Sequence, residues 1–177
     1  MGLWRVPEKV MLPAEPDFSP SVFEFNGRLA NGDQVMAYVG SRTGQTHPPS
    51  PTPFTRHTAV VFRFNADGVL LTVDFDTTAH GGDYIEKDAE RSWGKARELL
   101  LALVRRVQSE GWESADILVR PFHIMVDDLE TGLIYMTDGE DESEQEEDFE
   151  DYSPESVRLV PFDYVFRRPW NTGRYDT

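Results

Sequence analysis

The sequence predicts an α+β fold: a mainly antiparallel sheet of about seven strands, in the order ββ-ββ-α-ββ-β, with one long helix packed on one face. Three observations carry that prediction. Pairs of β-rich runs flank Asn31-Gly32-Asp33 and Asn65-Ala66-Asp67-Gly68, both of them hairpin signatures. Trp93, Ala96, Leu100, Leu103, Val104 and Val107 recur at helical spacings of three and four. Three more β-rich runs follow the helix.

In chain order, residues 21–29 supply Val22, Phe23 and Phe25 to a first strand, and 34–39 return as the second. Residues 58–64 and 69–77 form the next pair. In the latter, Val69, Leu71, Val73 and Phe75 share one face, and Leu70, Thr72, Asp74 and Asp76 the other. This alternation predicts one buried and one wet face. Asp83 with Glu86 three residues on makes a capping box for the helix. Arg105 and Arg106 suit the negative end of its dipole, and Gly111 closes it. Residues 115–126 read as a strand interrupted at Pro121, 132–137 pair with it across 127–131, and 156–166 come last. The second face of this sheet is expected to carry polar residues and to stand open, a common place for a protein partner.

The organisation expected is an extended N-terminal arm over 1–20, carrying four prolines, and a single α+β domain over 21–177. Within the domain, 41–55 holds Pro48, Pro49, Pro51 and Pro53, a density that predicts an irregular loop and no central strand. No apolar run reaches the length of a spanning helix, the N-terminus lacks the apolar core of a secretory signal, and with no cysteine there is neither a disulfide nor a thiolate zinc site. A cytoplasmic chain away from membranes is the expectation.

Charge is the most distinctive property. The chain carries a formal −15, and 138–151 alone holds ten acidic residues, no Lys and no Arg, which leaves −5 for the rest. Phe149 is the single apolar residue of that run, so it reads as a solvated, mobile loop. The balance opposes nucleic acid, whose phosphates require cations. It favours a basic protein partner drawn by Glu140, Asp141, Glu142, Glu144, Glu146, Glu147 and Asp148. The C-terminal Trp170 and Tyr175, interleaved with Arg167, Arg168 and Arg174, read either as anchors that pack the tail back or as an aromatic epitope for the partner.

Candidate chemistry is sparse. There is no nucleophile elbow, no phosphate cradle and no cofactor motif. His57 and His123 have no acidic residue within two positions. Asp127-Asp128 is a paired carboxylate but sits where turns recruit Asp for backbone reasons. Asp74, Asp76 and His80, loosened by Gly81-Gly82, could meet a divalent cation through oxygen and imidazole and so serve a small metal-dependent hydrolase. The leading expectation is a non-enzymatic protein-binding module: an inhibitor, an immunity-type antidote or a regulatory adaptor for a basic partner.

Over residues 57–177, the segments Phe64-Asn65-Ala66-Asp67-Gly68, Ala115-Asp116-Ile117-Leu118-Val119-Arg120-Pro121-Phe122, Gly132-Leu133-Ile134, Leu159-Val160-Pro161 and Pro169-Trp170 with the final Tyr175-Asp176-Thr177 form a recognisable series. In them the chain resembles a group of small acidic bacterial proteins labelled formate hydrogenlyase regulatory proteins, which end in Pro-Trp-Asp-Gly-x-Tyr-Asp-Thr. Here Asn171 replaces the Asp, one extra residue follows, and 138–151 is similar to an insertion. The resemblance implies a bacterial cytoplasmic accessory protein and brings no catalytic residues with it.

Overall fold

Val35-Met36-Ala37-Tyr38-Val39 and Ala59-Val60-Val61-Phe62 are unbroken apolar runs, so each of these strands needs cover on both faces. The computed structural model, which describes residues 8–14, 25–45, 53–78, 86–136, 156–162 and 164–166, supplies it. The two runs lie in β3 (Gln34–Gln45) and β4 (Pro53–Phe64), the long central strands. They are flanked by β2 (Phe25–Arg28) and β5 (Leu70–Thr77), with β6 (Glu113–Ser114) beyond β2, giving a five-stranded sheet in the order β5-β4-β3-β2-β6. Val35, Ala37, Val39, Ala59 and Val61 pack against Ala96, Leu100, Leu103 and Val104 of α1 (Glu86–Gln108), with Trp93 and Val107 at the margins. The predicted helical stripe is therefore the buried one.

Met36, Tyr38, Val60, Phe62 and Phe64 point the other way, into the larger core. A second sheet covers them: β8 (Phe122–Val126), β9 (Leu129–Met136), β10 (Ser156–Val160) and β11 (Tyr164–Phe166), in the order β11-β10-β9-β8. A pair made of β1 (Val10–Leu12) and β7 (Ile117–Val119) adds Val10, Leu12, Ile117 and Val119 to the same core. All pairings are antiparallel. The fold is α+β with one long helix, as predicted, but its layers run helix, sheet, sheet.

Several expectations change. The open second sheet face is instead the floor of the main core, because β3 and β4 are apolar on both sides. Among the described residues there are eleven strands and not seven: β1 and β6 are additional, 156–166 divides into β10 and β11, and 115–126 breaks on either side of Pro121, which passes the chain from the β1–β7 pair to the second sheet. The arm over 1–20 contributes a paired strand whose Val10 and Leu12 are fully buried. The loop expected over 41–55 is shorter: residues 41–45 pair with 53–57, and Pro53 sits in the terminal pair opposite Gln45, where a missing N–H interrupts nothing. Pro48, Pro49 and Pro51 lie outside the described residues, as does the capping residue Asp83. The hairpin turn after β8 is only Asp127-Asp128, with φ of 47° and 62°, the two left-handed residues of a type I′ turn.

The polar side chains of Tyr38, Thr131 and Gln34 enter the interior and are paired there. The Tyr38 hydroxyl and Thr131 Oγ1 share a hydrogen bond, and Thr131 donates in turn to the Val160 carbonyl at 3.2 Å. Burial pushes the Tyr38 phenol up, so it stays neutral. Gln34, only 3% exposed, does more. Its Oε1 accepts from the Leu118 N–H at 2.7 Å, and its Nε2 donates to the Leu118 carbonyl at 2.8 Å and the Asn65 carbonyl at 3.1 Å. The side-chain amide thus stands in for a neighbouring strand along the outer edge of β7. Beside it Gly68 turns at φ +79°, and a Cβ there would lie 2.4 Å from the Leu118 carbonyl oxygen. Replacing Gln34→Ala leaves both Leu118 main-chain groups unpaired and should lower unfolding stability by about 2–4 kcal/mol, read from urea denaturation.

Candidate functional site

Glu140, Asp141, Glu142, Glu144, Glu146, Glu147, Asp148, Trp170 and Tyr175 lie outside the described residues, and so does His80. Asp74 and Asp76 are described. They lie opposite Val61 and Ala59, on the helix side of β5, and both are exposed. Asp76 Oδ1 accepts the N–H of Thr77 at 2.9 Å. Among the described residues no group of three or more His, Asp or Glu side chains could hold a metal ion. The Asp127-Asp128 pair is spent on the turn and on ion pairs with Arg56 at 3.6 Å and Arg42 at 3.8 Å.

β5 departs most from its sequence reading. Its apolar face was expected to be buried, yet Leu71 is 50% and Phe75 49% exposed, and Val69 just before the strand is exposed too. Two features explain this. The register shifts between Arg63 and Phe64, which face Thr72 and Leu70, so Leu71 is an extra residue that disturbs the alternation. Among the described residues the second sheet reaches β4, where Phe122 packs with its ring centroid 5.3 Å from those of both Phe62 and Phe64, and leaves Leu71 and Phe75 of β5 about half exposed. Leu70 and Val73 are partly buried against that core, whereas the Phe75 ring overhangs.

β5 is also an edge. β4 lies on one side, and among the described residues no strand pairs with the other. The Thr78 N–H donates to the His57 carbonyl at 2.9 Å. Main-chain groups alternate along an antiparallel ladder, so Asp76 and Asp74 also turn theirs to β4, while Thr77, Phe75 and Val73 turn theirs outward. The Asp76 carboxylate covers the outward N–H of Thr77. Those of Phe75 and Val73 face out beside an exposed aromatic ring and two carboxylates.

A second polar cluster lies on the helix side of the same sheet. Ser41 and His57 are direct cross-strand partners, with Ser41 Oγ 2.6 Å from His57 Nδ1. Thr78 Oγ1 accepts the His57 N–H at 3.3 Å, and Trp93 of α1 meets the imidazole edge to face at 5.2 Å. Ser41 is exposed and His57 buried. This hydroxyl–imidazole contact resembles half of a nucleophilic pair. The His57 N–H, however, is taken by Thr78 Oγ1, and among the described residues no carboxylate orients the ring. The cluster reads as a satisfied buried histidine. Sequence reasoning missed it because it placed Ser41 in a loop; the register brings the two together. His123 was read as lacking an acid within two positions, but the β8–β9 hairpin brings Glu130 to it, with Nε2 2.9 Å from Oε1.

Comparison with protein-family models, with curated proteins and with solved structures found no match.

Burial lowers the His57 pKa and holds the ring neutral. The unfolded chain, with the imidazole near its ordinary value of about 6.5, then binds the extra proton. The stability His57 lends is complete above that pH and is lost as pH falls through the lower folded value. His57→Gln should therefore flatten the decline in melting temperature between about pH 7.5 and pH 5 relative to the wild-type chain, measured by circular dichroism.

Proposed function

We propose that this chain is a non-enzymatic protein-binding module, an inhibitor, immunity-type antidote or regulatory adaptor that engages a basic partner through an acidic surface. The observation that carries this reading is the β5 rim, where the half-exposed Leu71 and Phe75 stand beside the carboxylates of Asp74 and Asp76 on an edge that no described strand covers. Apolar side chains exposed to this degree stabilise a complex by about 1–2 kcal/mol each when covered. The carboxylates select the sign of what covers them. The ten acidic residues of 138–151 add long-range attraction, which sets the encounter rate more than the final affinity.

The test is affinity capture from cell extract with three forms of the chain: wild type, the double variant Leu71→Lys with Phe75→Lys, and a deletion of 138–151. The wild type should retain strongly basic proteins that elute at about 0.5 M salt, where the screening length is a few ångströms. The double variant should keep its melting temperature and lose them. A captured set that is neutral or acidic, or that the double variant holds equally well, overturns the reading.

Purified with such a partner, the deletion variant should fold normally and associate more slowly. Its on-rate should depend less steeply on salt than that of the wild type, as read by stopped-flow fluorescence.

A further inference from the structure

Resting on the protein-binding reading, we propose that the outer edge of β5 takes a basic, extended segment of the partner as an added strand, with Lys or Arg alternating with apolar residues. The main chain supplies the first half of the argument. Val73 and Phe75 turn their N–H and C=O groups outward, where among the described residues nothing pairs with them, and β5 is already hydrogen-bonded through its other edge to β4. A sheet edge with its ladder groups free is a template for another strand. The chain shows the alternative at β7, whose outer edge is closed by the Gln34 amide.

Side chains supply the specificity. Residues directly opposite one another on neighbouring strands point to the same face. Incoming residues opposite Asp74 and Asp76 therefore lie on the helix side, beside two exposed carboxylates. The residue between them, opposite Phe75, lies on the other side against a half-exposed ring, and so does the one opposite Val73. Cation, apolar, cation, apolar is the pattern that satisfies both faces. Charge also decides among occupants. A second copy of the chain would set Asp74 and Asp76 against their own likeness, within a pair of molecules each carrying −15. The acidic run 138–151 has the wrong sign as well. A basic segment from another protein is the occupant this rim fits.

The experiment uses the full chain and fluorescence anisotropy with labelled peptides at low salt. The probes are a short peptide of alternating Lys and Val, one of the same composition with all Lys preceding all Val, the alternating peptide with N-methylated valines, and an alternating Glu and Val peptide. The alternating Lys and Val peptide should bind. The blocked and N-methylated forms should bind at least about tenfold more weakly, since they keep the charge and lose the two-face pattern or the ladder donors. The double variant Asp74→Lys with Asp76→Lys, whose changes fall on exposed positions, should reverse the preference toward the Glu and Val peptide. Equal binding of all three cationic peptides overturns strand addition and leaves the acidic-surface reading standing; no binding of any cationic peptide removes both. A wild-type dimer in sedimentation that the alternating peptide dissociates would make a second copy the occupant. Binding seen only after removal of residues 167–177, with their three arginines, would make it the chain's own tail.

Discussion

The burial of β3 and β4 on both faces is the constraint from which the rest of the molecule follows. One face carries Val35, Ala37, Val39, Ala59 and Val61, and the other Met36, Tyr38, Val60, Phe62 and Phe64. A single helix covers only one of these faces. The other demands a second layer, and the chain after α1 builds it from β7 to β11, with β1 returning from the N-terminus to help. Polar chemistry is thereby displaced from the sheet surfaces to edges, turns and loops. At Tyr38 and Gln34, where it does penetrate, the side chain is tied to a partner in the opposing layer, and these contacts register one layer on the other.

A layered sheet still has edges, and this one treats them unequally. β7 is closed by a buried side-chain amide that imitates a strand. β5 is left with a bulge at Leu71, carboxylates at Asp74 and Asp76 and an overhanging Phe75. Carboxylates and a bulge on an edge are the usual means by which a sheet repels copies of itself. In the complex proposed above the same features would select for the opposite charge, so protection from self-association and preference for a basic strand would arise from the same atoms.

The histidines show how far register governs local chemistry. Ser41 and His57 are sixteen residues apart, and His123 and Glu130 seven, yet each pair is in hydrogen-bond contact because a hairpin places one opposite or diagonal to the other. In neither case does proximity make a reactive centre: in the first pair no described carboxylate orients the buried imidazole beside the exposed Ser41, and the second is a half-exposed hydrogen-bonded contact of small energetic weight.

Sequence alone determined the α+β class, the helix and its buried stripe, and the turns at Asn31-Gly32 and Asn65-Gly68, because helical periodicity and turn chemistry are local and act over a few residues. It also held the sign of double burial in the unbroken runs 35–39 and 59–62, though a count of strands does not expose it. The second sheet, the continuation of β3 and β4 beside the prolines, and the exposure of Leu71 and Phe75 were decided by tertiary structure. Each depends on which surface another part of the chain covers, and a two-residue alternation states that a strand has two faces without stating what lies above either.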